Sequence, residues 1–124
     1  MIKEDYVGYK TAKLLKERGF DEYCYGYYYT SKYMTHGDIK QRNSELFPDS
    51  YSAPTLQMAM KWLREVHSID ISIDIRFWTD DEGVDVKSWR YTVYRTDEIE
   101  DFGQSDTYEE AAEAGIRYCL ERLD

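Results

Sequence analysis

The sequence predicts an α+β fold in a single domain. Ile69, Ile71, Ile73, Ile75 and Phe77 alternate without a break with Asp70, Ser72, Asp74, Arg76 and Trp78, the period-two pattern of a strand with one buried face. Leu56, Ala59, Met60, Leu63 and Val66 instead recur at spacings of three and four, which places them on one side of a helix. A chain of 124 residues is long enough to bury one core without disulfides or metals, and short for two.

The predicted order is α-β-α-β-β-α. The first helix covers about 5–18, with Val7, Ala12, Leu14 and Leu15 apolar. Gly19 and Phe20 end it as a left-handed cap whose apolar follower folds back on the helix. Residues 22–29 hold five tyrosines, a side chain suited to pleated, half-buried surfaces, and read as a strand. Residues 30–51 carry Gly37, Asn43, Pro48 and Ser50 with scattered apolar anchors. They read as an irregular loop with room for a short strand near 32–35, and a loop of this length in a small domain is usually functional.

Ser52 and Pro54 open the second helix, over about 54–67, as a cap residue and a first-turn proline. The alternating strand follows, then a turn at 79–83. Next comes a strand centred on Trp89, Tyr91 and Val93, antiparallel to it. Val84 and Val86 are out of phase with that set, which points to a bulge or a loose hairpin end near 87–88. An acidic linker leads to the last helix, where Thr107 and Glu110 have the spacing of a capping box. Its apolar stripe includes Gly115, which suggests close approach of another backbone. Helices two and three should cover the isoleucine face, the tyrosine strand should extend that same sheet, and helix one should close an edge or end of the core.

Charge is uneven along the chain. Residues 1–62 carry a net charge of +1 and residues 63–124 a net of −10. Binding to a nucleic-acid duplex needs Lys and Arg to displace counterions, and no basic patch stands out. Lys10, Lys13, Lys16 and Arg18, interrupted by Glu17, read as the wet face of a helix. Cys24 and Cys119 lack metal-ligand spacing. The N-terminus shows no apolar signal run and no stretch has the length of a membrane span. A cytoplasmic location with both thiols free is therefore the expectation.

Two groups of residues are candidate binding sites. Tyr23, Tyr25, Tyr27 and Tyr29 share one face of the tyrosine strand, and tyrosine supplies rigid contact area at interfaces with low entropy cost. The same face could stack single-stranded bases, but only Lys32 stands near it in sequence to meet phosphates. The second group is Asp97, Glu98, Glu100 and Asp101, in a stretch from Thr96 to Ile116 without one Lys or Arg. It suits a basic protein, with mimicry of a phosphate row as a specific version.

Catalytic motifs are lacking. Cys24, His36 and Asp38 can be arranged on paper as nucleophile, base and orienter, but a buried thiol and a solvated loop histidine give the same sequence. His67 suits the end of its helix, where the dipole favours a cation. Asp70 and Asp74 read as a solvated strand face rather than a metal site. No metal and no cofactor is expected.

Tyr51-Ser52-Ala53-Pro54-Thr55-Leu56-Gln57, Lys61-Trp62-Leu63-Arg64-Glu65-Val66-His67 and Thr107-Tyr108-Glu109-Glu110-Ala111 with Gly115 resemble a group of short proteins of gut bacteria, their phages and their mobile elements. No activity is assigned to that group. The resemblance implies an accessory protein of a phage or mobile element and transfers no catalytic residue. The expected function is a non-enzymatic module that binds another protein, with self-association into a homo-oligomer also open. The alternatives are a small enzyme with a cleft under residues 30–50 and a single-strand binder using the tyrosine face.

Overall fold

The computed structural model describes residues 2–29 and 33–123. Among them lie three helices, α1 (Tyr9–Glu17), α2 (Leu56–His67) and α3 (Tyr108–Glu121). Six strands accompany them: β1 (Cys24–Tyr29), β2 (Met34–Gln41), β3 (Ser50–Ala53), β4 (Ile69–Thr79), β5 (Asp85–Arg95) and β6 (Glu98–Ser105). The strands form two antiparallel sheets, ordered β2-β1-β3 and β4-β5-β6. The class is α+β as the sequence implies, but β1 does not extend the isoleucine sheet. Its two edges are taken by β2 and β3, so it belongs to a sheet of its own.

Residues 30–51 are accordingly not an irregular loop. The strand sought near 32–35 is β2, displaced to Met34–Gln41, while residues 30–32, Lys32 among them, lie outside the described residues. A 3-10 turn at Asn43–Glu45 and the start of β3 occupy the rest. Asn43 is buried and ties them together: its amide donates to the Phe20 carbonyl (2.7 Å) and its oxygen accepts from the Ser52 N–H (2.8 Å). β2 escapes sequence reading because it is exposed along most of its length, so no apolar alternation marks it. The acidic linker is also a strand, β6. Its inward positions are Asp101, Gly103 and Ser105, again without an apolar signal.

α3 packs on β4, β5 and β6, α2 packs on β4 and α3, and α1 bridges α3 to β3. α1 begins at Tyr9 rather than near residue 5, because the preceding residues are extended and bonded to the entry of α2. Val7 N–H donates to Pro54 O (3.0 Å) and Leu56 N–H donates to Asp5 O (2.9 Å). At its other end Gly19 adopts φ +92 and the Phe20 N–H returns to Leu15 O (2.9 Å), the expected cap. Phe20 then meets Trp62 edge-to-face in the core.

α2 is capped by Thr55 rather than Ser52, its hydroxyl accepting from the Met58 N–H (3.1 Å). Thr107 does the same for Glu110 (3.1 Å), but the return half of the box differs. The Thr107 hydroxyl lies 3.2 Å from the Glu110 carboxylate instead of leaving that carboxylate to the backbone. α1 and α3 are fastened by Glu113, whose Oε1 accepts from the Gly8 N–H and the Thr11 hydroxyl, both at 2.7 Å. A carboxylate there also meets the positive end of α1.

β4 and β5 pair residue for residue from Ile69–Arg95 to Thr79–Asp85, with neither the bulge nor the loose hairpin end expected near 87–88. The irregularity lies instead between β5 and β6, at Val93/Tyr94. Helix coverage of the isoleucine face is partial. Ile69 is fully buried and Ile71 and Ile73 pack against the core, but Ile75 and Phe77 extend beyond the helices, Phe77 being 71% exposed. Trp62 is core, Trp89 borders it and Trp78 is exposed. Gly115 is approached by the side chains of Ile71 and Tyr91 rather than by backbone.

Candidate binding surfaces

β1 is built by alternation. Cys24, Gly26 and Tyr28 face inward, where Tyr28 meets Tyr9 of α1 edge-to-face and donates its hydroxyl to Val7 O (2.9 Å). Tyr25 and Tyr29 are exposed, Tyr27 is half-buried, and Tyr23 is exposed just before the strand. Of the set singled out by the sequence, Tyr23, Tyr25 and Tyr29 are thus exposed, while Tyr25 also reaches His36, the β2 partner of inward Gly26. Gly26 has a specific reason to be glycine: a Cβ there would lie 2.9 Å from Ala53 O and 3.0 Å from the Tyr6 ring.

The structure adds cations that sequence proximity did not reveal. Between Gly26–His36 and Cys24–Gln41 the pairing shifts, so residues 37–40 bulge opposite Tyr25. At the end of that bulge Lys40 Nζ sits 5.2 Å from the centre of the Tyr25 ring, and just past it the Arg42 guanidinium lies 5.0 Å from that of Tyr23, within cation–π range. His36 stacks on Tyr25 (5.7 Å between centroids) and its Nε2 is 3.0 Å from the Tyr6 hydroxyl. Phe47 meets Tyr29 edge-to-face. Lys40 and Arg42 carry no motif that sequence reading could find, because their placement depends on the β1–β2 register.

Asp97, Glu98, Glu100 and Asp101 lie at the other sheet, and the structure does not bring them to the tyrosines. Asp97 is in the turn joining β5 to β6, and Glu98 opens β6; both are exposed. Glu100 pairs with Arg95 (2.9 Å) and Asp101 accepts the Tyr91 hydroxyl (2.8 Å). Two of the four carboxylates are therefore engaged within the chain. Burial, reinforced by the bond to Asp101, pushes the Tyr91 hydroxyl up to about 12.

Cys24 and His36 are held by other partners. The Cys24 thiol donates to Glu22 O (3.5 Å), and burial pushes it up to about 11. Cys119 is buried in α3 and pushed up to about 12, again by burial. Neither thiol has the thiolate character a nucleophile needs at neutral pH. An open cleft of about 700 Å³ lies beside His36, lined by Lys3, Glu4, Asp5, Tyr6, Tyr28 and Met34. His67 ends α2 against the Trp62 ring, at 4.7 Å between centroids. Among the described residues no three His, Cys, Asp or Glu side chains converge as a metal ion would require, and no helix is long and apolar enough to cross a membrane.

The chain matches no known family model, and no curated protein or solved structure is significantly similar to it.

Proposed function

We propose that this chain is a non-enzymatic interaction module that binds another protein through the tyrosine face of the β2-β1-β3 sheet, in the service of a phage or mobile element. The supporting observation is the cluster of exposed rings at Tyr23, Tyr25 and Tyr29 with Arg42 and Lys40 seated over two of them. Aromatic and arginine side chains are the residue types that carry binding energy at protein interfaces. Asp97 and Glu98, which form no ion pair among the described residues, offer a secondary contact to a basic partner.

The test is affinity capture from a host lysate with three proteins in parallel: wild type, Tyr25→Ala/Tyr29→Ala and Asp97→Asn/Glu98→Gln. The reading expects a captured protein that the tyrosine variant loses and the carboxylate variant retains in reduced amount. Undiminished capture by the tyrosine variant, with its circular dichroism unchanged, would refute it.

Lys40 and Arg42 also favour a second reading, single-stranded nucleic acid stacked on the tyrosines with those cations at its phosphates. That reading requires oligonucleotides to quench tyrosine fluorescence at low salt and to release it as salt rises. An absence of quenching at low salt eliminates it.

A further inference from the structure

Among the described residues β4 is an edge strand of eleven residues, Ile69–Thr79, paired on one side only, with β5. Edge strands in stable monomers are usually blunted by Lys, Pro, a bulge or short length, because their free N–H and C=O groups are a template for another strand. β4 contains neither Lys nor Pro, its charges (Asp70, Asp74 and Arg76) are of both signs and so can pair across such an edge, and its pairing with β5 is regular throughout. Its second half projects past the helices with Ile75 39%, Phe77 71% and Trp78 43% exposed.

We propose that a second copy of this chain docks on the β4 edge, its own β4 antiparallel to the first, with the two-fold axis at Ile75. The order of side chains selects both occupant and register. With the axis at Ile75, Asp74 of each copy stands opposite Arg76 of the other, giving two ion pairs on one face. On the other face Ile75 meets Ile75 and Ile73 meets Phe77. Neighbouring registers oppose like charges: an axis at Asp74 or Arg76 sets that residue against itself, and an axis at Ser72 sets Asp70 against Asp74. Like charges directly opposite on a sheet are destabilising. An axis at Ile73 avoids this but spends Phe77 on Ile69, which is already fully buried. An axis at Phe77 also joins exposed side chains, but it overlaps only residues 75–79 and sets Asp74 against Asp80 just beyond them. The Ile75 register overlaps residues 71–79 of each copy, joins side chains that the monomer leaves exposed, and makes one continuous sheet of six strands from two copies.

The inference is independent of the tyrosine face, and its test separates the two. Sedimentation of the full chain up to roughly 100 µM, where a micromolar dimer is saturated, should give twice the monomer mass. Arg76→Asp should weaken the dimer about tenfold or more, because both ion pairs become repulsive. Asp74→Arg/Arg76→Asp restores opposite charges in this register and should restore the dimer, and the Ile75→Cys cross-link separates it from the Ser72 register, in which residue 75 faces Ile69. Ile75→Cys should form a disulfide between copies on mild oxidation, since facing Cα atoms in an antiparallel pair lie about 4.5–5.5 Å apart. Ile71→Cys should not, because eight residues would separate the two thiols along the strand. A monomeric wild type, a dimer indifferent to Arg76→Asp, or a dimer abolished by Tyr25→Ala/Tyr29→Ala instead would overturn the proposal.

Discussion

Replacing Gly103 by Ala would place a methyl group where the Tyr91 ring already is. A Cβ built at Gly103 lies 2.5 Å from Tyr91 Cε2 and 3.0 Å from Cζ, well inside van der Waals contact, and the ring has little freedom to retreat. On its other flank a Cβ at Gly115 would already be 3.2 Å from Tyr91 Cγ and Cδ1, and the hydroxyl is tied to Asp101 at 2.8 Å. Overpacking of this kind costs about 1–3 kcal/mol, and the confinement argues for the upper end. Ala gains back about 0.5–1 kcal/mol over Gly within a strand. The net is about 2 kcal/mol, or roughly 6–10 °C of melting temperature for a domain of this size. Differential scanning calorimetry measures it directly. Gly115→Ala is the control, because about 1 kcal/mol of helix propensity offsets its milder 3.2 Å contact and leaves stability nearly unchanged. In a Tyr91→Ala background the clash at residue 103 has no partner, so Gly103→Ala should cost little there. If Gly103→Ala melts within about 2 °C of wild type, or costs as much without the Tyr91 ring as with it, the reasoning is wrong.

Thr55→Ala and Thr107→Ala each remove a hydroxyl that accepts a first-turn N–H, and each should lower the urea-unfolding free energy by about 1 kcal/mol. Glu113→Ala leaves the Gly8 N–H and the buried Thr11 hydroxyl without their shared acceptor, a loss of about 1.5–3 kcal/mol. Hydrogen exchange at the start of α1 should accelerate in that variant, and unchanged protection there would contradict the clamp. Alkaline pH should also destabilise the fold. Burial raises Cys24 and Cys119 from 9.0 to about 11 and about 12, and raises Tyr91 from 10.0 to about 12. A folded value above the unfolded one means that the contribution is complete below about pH 9 and is lost as pH climbs through 11–12. Urea midpoints should therefore be level from pH 8 to 9 and fall above that. Tyr91→Phe should remove its share of the fall above pH 10, and a midpoint that rises over that range would reverse the assignment.

The helices were legible because each combines a periodic apolar stripe with local end signals. Gly19 and Phe20 close α1, and Thr107 opens α3, within a few residues of the atoms they satisfy. β4 was legible because five apolar residues alternate strictly along one face, although only Ile69, Ile71 and Ile73 of them meet the core. β2 and β6 were not. β2 lies at an edge with most of its length in water, and the inward positions of β6 are Asp101, Gly103 and Ser105, chosen to fit against Tyr91 and Val93 rather than to be apolar. The tyrosine face was legible as alternation along β1, whereas its cations, Lys40 and Arg42, depended on a register shift between strands.

By itself, then, the sequence determined the class, the three helices, the central antiparallel pair and the outward tyrosines, because all of these rest on periodicity and capping within a short span of chain. Only the tertiary structure decided that the strands divide into two sheets, that Glu100 and Asp101 are engaged within the chain, and that the thiols are too buried to ionise near neutral pH. Those outcomes depend on which distant backbone edge or side chain arrives next to each group. That is a matter of non-local pairing and desolvation, to which local residue spacing carries no signal.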